Sequence, residues 1–250
     1  MQKKLIGIIG GTGLDNPEIL ESPRDEKVTT PYGDPSSELQ HGLIDRVPVV
    51  LLARHGREHT IPPTQVNYRA NIHALKEAGC SHILATTAVG SLREEIDRGH
   101  LIIIDQFIDF TKQRKMTFHE SYKPHNPVHT PMADPYDSRL RRLLIDECQA
   151  LRYPFHEKGT VVTIEGPRFS TRAESYMFRA LGADVINMSI ATETALANEA
   201  GIPYAAVAMS TDYDCWRIGE ESVTWEAVLK VFADNAARVA SILRGVIPRI

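Results

Sequence analysis

The stretch LIGIIGGTG, residues 5–13, is an apolar run, Leu5–Ile9, followed at once by glycines and a threonine. Five further apolar runs also stop at small, polar or charged residues: Val47–Ala53, Ile83–Ala85, Val161–Ile164, Asp184–Ile186 and Tyr204–Met209. Short apolar runs of this kind predict strands of a largely parallel sheet that is buried on both faces. Because ligands bind outside the strand ends of such sheets, we expect the polar clusters to converge on one pocket.

Helical patterns alternate with these runs. They are predicted over Gln65–Ala78, Ser138–Leu151, Ser175–Leu181, Thr192–Ala200 and Ser222–Leu243. The alternation indicates an α/β fold with a mixed, largely parallel central sheet wrapped by helices. The 250 residues contain no repeat or flexible linker, so we predict a single domain over residues 1–250. Residues 109–136 carry several prolines and histidines without periodicity, which is typical of an active-site loop, a subunit-interface loop or a surface excursion.

Composition narrows the possible partners. The formal net charge is −4 and no helix carries a basic stripe, so we expect no nucleic-acid partner. The three cysteines are far apart and odd in number, which favours a reducing compartment over a disulfide framework or a structural zinc site. We also expect no signal peptide and no membrane span, because the apolar runs are too short. The protein is therefore predicted to be cytoplasmic.

Four of the polar clusters suit a small oxyanion. Gly10–Gly13 allows close backbone approach to an anion and Thr12 adds a hydroxyl, although a plain tight turn explains the glycines equally well. Arg54 offers two-pronged hydrogen bonds to phosphate, and the alternative is an ion pair with a carboxylate elsewhere in the chain. Thr87, Ala88 and Ser189 lie in clusters that supply further neutral donors. These clusters contain no lysine, so inorganic phosphate fits them better than a nucleoside triphosphate.

Two other readings of these motifs are disfavoured. His55 and His59 are four residues apart, but the segment lacks the H-E-x-x-H pattern and Arg54 and Arg57 would repel a cation, so no metal site is predicted. The glycine cluster also fails the G-x-G-x-x-G dinucleotide fingerprint, because Asn16 stands where the last glycine belongs. A dinucleotide-dependent oxidoreductase is therefore a distant alternative.

Asp212 and Asp214 indicate the rest of the ligand. They lie two residues apart on an extended segment, so their side chains point the same way if the strand continues and diverge if it turns. A carboxyl group in an apolar pocket has a raised pKa and can hold a proton near neutrality. It can then donate to N7 of adenine and accept from the 6-amino group. A helix cap or a surface pair of aspartates is the alternative.

Several motifs together resemble a known family. They are Ile8–Leu14, Leu52–Gly56, Gln65–Asn71, Thr163–Ser170 and Thr211–Trp216. These stretches closely resemble the 5′-methylthioadenosine branch of the trimeric purine nucleoside phosphorylase family, and the resemblance spans essentially the whole chain. It implies a purine nucleoside phosphorylase-like fold and phosphorolysis of 5′-methylthioadenosine by inorganic phosphate. The products would be adenine and 5-methylthioribose 1-phosphate, with no metal or organic cofactor. It also implies a homotrimer with sites at the subunit interfaces.

The resemblance assigns roles by motif. It implies that phosphate is held by Thr12, Arg54, His55, Thr87, Ala88 and Ser189. It implies that the nucleoside is bound by Phe169 and Ser170 beside the base, Met188 against the ribose, and Asp212 and Asp214 at the base, where the two aspartates are also catalytic. Asn187 is also expected to bind the nucleoside. His129 would reach into the neighbouring subunit's site, and Val228 would line the slot for the methylthio group.

The chain departs from the family pattern in two places, and alternatives remain. Ser189 stands where threonine is common, and because a hydroxyl remains, phosphate binding should survive. The sequence also stops at Ile250, whereas eukaryotic relatives continue into a C-terminal tail that helps enclose the 5′ group, and Trp225 stands where a smaller aliphatic residue is usual. We therefore expect selectivity for the 5′ group to be less secure than selectivity for the base. A phosphorylase for 6-oxopurine nucleosides, or for methylthioinosine, is the nearest alternative, but those relatives use asparagine in place of Asp212. A phosphate or nucleoside sensor without catalysis is the third alternative.

Overall fold

The computed structural model describes residues 4–11, 19–219 and 225–250, with the side chains of the last helix described from residue 235 onward. Within these residues eleven strands form one sheet, and five α-helices surround it. The strands are β1 Ile6–Gly10, β2 Glu21–Glu26, β3 Leu39–Ile44, β4 Val47–Ala53, β5 His82–Ser91, β6 Leu101–Ile103, β7 Gln106–Phe110, β8 Phe155–His156, β9 Thr160–Ile164, β10 Val185–Asn187 and β11 Tyr204–Asp212. The helices are α1 Tyr68–Glu77, α2 Ser138–Ala150, α3 Arg172–Ala180, α4 Ile190–Glu199 and α5 Trp225–Val246.

The sheet is mixed and largely parallel, which confirms the predicted fold class. Its main path runs β2-β3-β4-β1-β5-β10-β9-β7, and β11 branches from β5 and continues through β6 to β8. Parallel pairing joins β5 to β1 and to β11, whereas β5 and β10 are antiparallel. Strand β5 is therefore the central element, because three other strands bind its backbone. The boundaries of a single domain over residues 1–250 stay a prediction.

All six predicted strands are present, but two of them are longer than predicted. The run Ile83–Ala85 belongs to a strand that continues to Ser91, and the run from Tyr204 continues to Asp212. The predicted placement of Thr87, Ala88 and Asp212 beyond the strand ends is therefore wrong. These residues stay in extended conformation because β5 and β11 pair with each other from Ile83 to Gly90. Threonine and valine also have high strand propensity.

Five strands were not predicted from the sequence. Strand β2 has the sequence ESPRDE, which contains no apolar pattern, and every one of its residues is exposed. Strands β6 and β8 are only three and two residues long. Such segments become strands because the edge of an existing sheet offers hydrogen-bonding partners, and this information is not local in the sequence.

The core lies on both faces of the sheet. On one face, Ile9 of β1 and Ile83 of β5 pack with α1 and α4. On the other face, Ile8 of β1 and Leu84 of β5 pack with α2 and α5. Alternate residues of each strand thus face opposite helix layers, as expected for a sheet buried on both sides. Among the described residues, no helix combines the length and the apolar character that crossing a membrane requires.

The irregular segment is largely as predicted. Asp109 and Phe110 belong to β7, and residues 111–137 then form no helix and only an isolated bridge between Lys123 and Asn126. The closing helix was predicted over Ser222–Leu243, and the structure begins α5 at Trp225 and ends it at Val246. Residues 220–224 lie outside the described part of the chain.

Candidate active site

A cavity of about 620 Å³ lies where the polar clusters meet. Its walls come from five segments of the chain: residues 54–63, 87–90, 164–170, 186–189 and 211–214. The sequence prediction that the clusters converge on one pocket is therefore confirmed for the described residues. The sequence did not predict that residues 58–63 line the cavity. Their one notable feature, His59 four residues after His55, suggested only a metal site.

Strand β5 sets the length of the cavity. Thr87 lines it near one end, and Gly90, three residues further along the same strand, lines it near Asp212. A strand rises about 3.3 Å per residue, so these two positions are about 10 Å apart. The cavity therefore has two separate polar regions, one around Arg54 and Thr87 and the other around Asp212.

Arg54 is almost completely buried, with 1% of its surface exposed. Its Nε and Nη2 atoms donate to the carboxylate of Glu193, with Nη2 2.8 Å from Oε2, and Nη1 donates to the Thr86 carbonyl at 2.8 Å. The ion-pair alternative left open by the sequence is therefore realised, and Glu193 on α4 is the carboxylate. Three of the five N–H hydrogens of the guanidinium take part in these bonds, which leaves two for a ligand. Burial acts to lower the pKa of Arg54, but the charge and hydrogen bonds of the Glu193 carboxylate outweigh it and raise that pKa, so the guanidinium stays charged.

Gly11 is required for this arrangement. A Cβ atom at position 11 would collide with Nη1 of Arg54 and would lie 2.8 Å from the Thr86 carbonyl oxygen. The glycine cluster after β1 therefore admits the buried arginine to the strand ends. Gly11 is therefore needed for packing against Arg54, whether or not residues 10–13 also form the tight turn that the sequence suggested. Thr12, the other predicted residue of the cluster, lies outside the described residues.

His55 lies next to Arg54 and lines the same cavity. Its Nδ1 atom is 2.9 Å from the carbonyl oxygen of Ile61. Because a carbonyl only accepts, Nδ1 carries the proton and Nε2 of the neutral ring has a free lone pair. Burial, and then the Arg54 charge, lower the pKa of His55 to about 3. The ring is therefore neutral at physiological pH and can accept a hydrogen bond.

A buried network of neutral groups holds the polar wall between β5 and α4. The Asn187 amide donates to the Thr87 hydroxyl at 3.2 Å and accepts from the Thr163 hydroxyl at 2.8 Å. Thr163 in turn accepts from the backbone N–H of Ala191 at 3.1 Å. Ser189 is the residue from which α4 starts, and it lines the cavity. Thr87, Ala88, Asn187 and Ser189 are thus brought together, and the amide oxygen and one amide hydrogen of Asn187 are used in positioning its neighbours.

Asp212 and Asp214 line the cavity from the end of β11. The strand ends at Asp212 and the chain turns, with Asp214 at φ +47°, but the turn does not separate the two residues, because both line the same cavity. The two residues remain together because the Asp214 backbone N–H donates to Oδ1 of Asp212 at 2.7 Å. Burial raises the pKa of Asp212 to about 6 and also raises the pKa of Asp214. Asp212 is therefore partly protonated near neutral pH.

Another part of the cavity wall contains Met188 together with Pro167, Phe169 and Ser170. Gly166 has φ +67°, and a Cβ there would lie 2.5 Å from the Met188 sulfur, so only glycine allows this close packing. The Tyr68 hydroxyl donates to the Met188 carbonyl at 3.2 Å. Phe169 and Ser170 line the cavity, and Phe169 is 47% exposed at its edge. Met188, Phe169 and Ser170 are therefore placed with the other predicted nucleoside-binding residues.

Besides Thr12, two predicted residues are not placed in this cavity. His129 is exposed on the irregular segment and is absent from the cavity wall of its own chain; its ring centroid lies 6.2 Å from that of Tyr122. The side chain of Val228 lies outside the described residues, as does that of Trp225. The described residues contain no group of three or more histidine, cysteine or acidic side chains that could hold a metal ion. The absence of a metal or cofactor stays a prediction.

The sequence reasoning missed two further residues of the site. Glu193 falls in a helical pattern with no motif around it, so nothing local marks it as the partner of Arg54. Thr211 belongs to the motif Thr211–Trp216, but the sequence indicates no role for it. In the structure it lines the cavity and its hydroxyl donates to Asp212.

Comparisons with known proteins agree with this geometry. The sequence model of the Phosphorylase superfamily matches residues 5–248. The chain is 56% identical over 247 residues to the S-methyl-5′-thioadenosine phosphorylase of Danio rerio, a match that covers 98% of this chain and 88% of the relative. It is 55% identical over 248 residues to the corresponding enzyme of Xenopus tropicalis, again over 98% and 88%.

A solved structure gives the same result. The methylthioadenosine phosphorylase of Schistosoma mansoni in complex with adenine superposes with a TM-score of 0.94 and 42% sequence identity, over 99% of this chain and 92% of that one. Full-length similarity in both sequence and fold shows the family. The chain therefore belongs to the phosphorylase superfamily and, within it, to the S-methyl-5′-thioadenosine phosphorylases.

Proposed function

We propose that this chain catalyses the phosphorolysis of 5′-methylthioadenosine by inorganic phosphate, with adenine and 5-methylthioribose 1-phosphate as products. The observation that carries the proposal is one cavity lined both by a buried arginine with free N–H groups and by an aspartate whose pKa is raised to about 6. The reaction needs an anion-binding region and a proton donor to a purine, separated by the sugar. The reaction is the one named for the relatives from Danio rerio and Xenopus tropicalis.

Phosphate is assigned to the region around Arg54. The two N–H hydrogens of Arg54 that Glu193 and Thr86 leave unused can donate to phosphate oxygens, and Glu193 keeps the guanidinium from turning. The neutral ring of His55 suits the P–O–H group of hydrogen phosphate, because Nε2 is an acceptor. Thr87, Ala88 and Ser189 line the same region, and Thr12 is assigned to it by the family resemblance alone.

The base is assigned to the region around Asp212 and Asp214. Each oxygen of the Asp212 carboxyl group already has one partner, which leaves one lone pair on each for the ligand. With one of these sites protonated, the group donates to N7 of adenine and accepts from the 6-amino group. Asp214, Phe169 and Ser170 also line the cavity, and Asn187 and Met188 of the same wall are assigned to the nucleoside by the family resemblance. On the family resemblance alone, Val228 is assigned to the wall of the slot that holds the methylthio group.

The chemistry follows from these two regions. The C1′–N9 bond breaks first, its electron pair enters the purine, and the sugar becomes oxocarbenium-like, as in other glycosyl transfers. Asp212 passes its proton to N7, and a phosphate oxygen then forms the bond to C1′. General acid catalysis of this kind is worth about 10²–10⁴-fold. Phosphate is the nucleophile and Asp212 the acid, so we propose that no metal or organic cofactor takes part.

We further propose that the active form is a homotrimer in the cytoplasm with its sites at subunit interfaces. The support for shared sites is that His129, which the resemblance assigns to the nucleoside site, is exposed and does not line the cavity of its own chain. The support for the compartment is that Cys80, Cys148 and Cys215 are all free thiols. The net charge of −4 supports small-molecule partners rather than nucleic acid.

The experiment is to incubate the purified chain with 5′-methylthioadenosine, with and without phosphate, and to follow free adenine. We expect adenine only when phosphate is present, with 5-methylthioribose 1-phosphate formed in equal amount. Adenine release without phosphate would indicate a hydrolase, and no release under either condition would eliminate the proposal.

The Asp212→Asn variant addresses the 6-oxopurine alternative in the same assay. An asparagine amide can donate to a 6-oxo group but has no proton to give to N7. We expect the variant to lose activity on 5′-methylthioadenosine and to gain relative to it on 5′-methylthioinosine. A polar mismatch of this kind can change discrimination by about 10⁴-fold, and an unchanged ratio of the two kcat/KM values would contradict the assignment.

A further inference from the structure

A β-bulge precedes the proposed general acid. In the parallel pairing of β11 with β5, Ser210 is opposite Val89 and Asp212 is opposite Gly90, so Thr211 is an extra residue with no partner position. Consecutive residues of a regular strand point to opposite faces, yet Thr211 and Asp212 both line the cavity. Bulges next to active sites re-aim side chains in this way. The bulge thus brings the Thr211 hydroxyl to the same side as the Asp212 carboxyl group.

The Thr211 hydroxyl has two acceptors for one hydrogen. Its Oγ1 is 2.8 Å from Oδ2 of Asp212 and 3.2 Å from the carbonyl oxygen of Val89. A hydroxyl carries a single hydrogen, so it donates fully to only one of them at a time. An ionised carboxylate is the stronger acceptor, whereas a protonated Oδ2 is a weak one. The hydroxyl is 4% exposed with the rest of the residue, so water competes little for it.

The other carboxyl oxygen of Asp212 is held differently. Oδ1 accepts from the backbone N–H of Asp214 at 2.7 Å. A backbone N–H cannot turn to another acceptor, so a proton on Oδ1 would weaken a buried hydrogen bond without compensation. A proton on Oδ2 has no such cost, because the Thr211 hydroxyl rotates to Val89. The proton of Asp212 is therefore favoured on Oδ2.

We propose that Thr211 is a positioning residue for proton transfer: its hydroxyl donates to Val89 while Oδ2 of Asp212 holds the proton, and to Oδ2 once that proton has moved to N7 of the purine. This inference rests on the proposed function. As the C1′–N9 bond breaks, its electron pair enters the purine, N7 takes the proton, and Asp212 becomes a carboxylate. The Thr211 hydrogen bond strengthens as that charge forms, so it stabilises the transition state more than the ground state.

Two other charged groups act on Asp212 and are unchanged by substitution of Thr211. Asp214 raises the pKa of Asp212 through charge repulsion, and Arg98, from the segment before β6, lowers it. Burial is the largest cause of the raised pKa, and the Thr211 hydroxyl opposes it. Removing the hydroxyl should therefore raise the pKa of Asp212 further.

The test compares Thr211→Val, which keeps the shape but removes the hydroxyl, with Thr211→Ser, which keeps the hydroxyl. Both are assayed on 5′-methylthioadenosine and phosphate across pH 5–9. We expect Thr211→Val to lower kcat about tenfold or more, as for other hydrogen bonds to charged groups, with little change in KM. We also expect the fall of its kcat at high pH to move to higher pH. Thr211→Ser should stay within about threefold of the unsubstituted chain.

A double substitution separates positioning from packing. In an Asp212→Asn background the side chain has no proton to lose, so adding Thr211→Val should cause little further loss of residual activity. Thr194→Val, which removes another buried threonine hydroxyl outside the cavity wall, is the matched control for folding and thermal unfolding. Thr211→Ala is a second hydroxyl-free variant, to be used if the valine variant fails to fold.

The outcomes distinguish the two proposals. If the unsubstituted chain releases no adenine, the proposed function itself is wrong. If it is active but a folded valine or alanine variant keeps its kcat and pH profile, the inference about Thr211 is wrong. Equal losses with and without Asp212, or a serine variant as impaired as the valine variant, would also overturn it.

Discussion

Arg54 shows how a single buried charge is accommodated at the residue scale. Arg54 and Glu193 are 1% and 0% exposed, and the Tyr204 hydroxyl donates to the same carboxylate at 2.9 Å. Burying two charges costs several kcal/mol per ion, and this is offset only when geometry and additional hydrogen bonds are good. Both conditions are met here, because Arg54 and Glu193 form two parallel hydrogen bonds and Glu193 also accepts a hydrogen bond from the Tyr204 hydroxyl. The guanidinium is therefore held in one orientation before any ligand arrives.

The Glu193→Gln substitution should be costly in both stability and phosphate binding. It leaves a buried arginine without its counter-charge, which typically destabilises a protein by about 3–5 kcal/mol. We expect the KM for phosphate to rise at least as strongly as kcat falls, because Arg54 is no longer held. Urea unfolding and phosphate titrations measure the two effects.

Glu120→Gln is the matched control for that substitution. Glu120 pairs with Arg69 but its side chain is 66% exposed, so its substitution should destabilise the protein far less than Glu193→Gln does. Equal stability losses for the two variants would show that burial of the Arg54 pair has no special importance.

The irregular segment after β7 is fixed at one end and exposed at the other, which is a property of the element. Near its start, Arg114 donates to the Glu165 carbonyl at 2.8 Å and to the Tyr68 hydroxyl at 3.1 Å, so the segment is tied to the cavity wall. Further along, Tyr122, Val128 and His129 are exposed. A segment held in place at the cavity with exposed aromatic and apolar side chains beyond it is suited to contact a second copy of the chain.

Shared sites in a trimer make a specific prediction about mixtures. His129→Ala and Asp212→Asn variants should each be impaired alone, because each lacks one component of every site. When the two are co-expressed, a site formed by Asp212 of one chain and His129 of its neighbour is complete. Random assembly should make about a quarter of the sites complete. Adenine release by the mixture that is no higher than the average of the two separate variants would contradict sites shared between subunits.

At the scale of the whole molecule, the raised pKa of Asp212 is a stability cost. Its value of about 6 in the folded protein lies above the ordinary value of 3.8. Between these two pH values the folded state keeps a proton that the unfolded state has lost, so the free energy of unfolding falls as pH rises through the window. Above about pH 6 the full cost remains. The fold thus gives up stability at neutral pH to keep a buried carboxyl group in the cavity.

Asp212→Asn should therefore stabilise the protein in a pH-dependent way. The asparagine has no charge to bury, so we expect a gain on the order of 2 kcal/mol at pH 7.5 and much less at pH 4.5. The low pKa of His55 also contributes to pH dependence, but it is common to both proteins and cancels in the comparison. Thermal unfolding at the two pH values measures the gain, and a variant equally or less stable at pH 7.5 would contradict the burial argument.

Much of the fold and of the site could be predicted from local patterns. Apolar runs such as Val47–Ala53 and Tyr204–Met209 predict strands because a sheet buried on both faces needs continuous apolar segments. Polar clusters at the ends of apolar runs were expected to converge because parallel strands end at one edge of a sheet, and they do meet in one cavity, although Thr87, Ala88 and Asp212 lie within their strands. Local patterns therefore predicted the site residues Arg54, His55 and Asp212 with their neighbours. The long motifs likewise indicated the family.

The sequence by itself thus determined the class of the fold, the elements that meet at the cavity, and the residue types available there, because each depends on local composition and spacing. Only the tertiary structure decided that β5 continues through Thr87 to Ser91, since pairing with other strands supplies the hydrogen bonds. It also decided that Glu193 neutralises Arg54, and that a bulge turns Thr211 towards Asp212. Contacts between residues distant in the chain, or between paired strands, have no local signal, because burial and pairing exist only after the chain has folded.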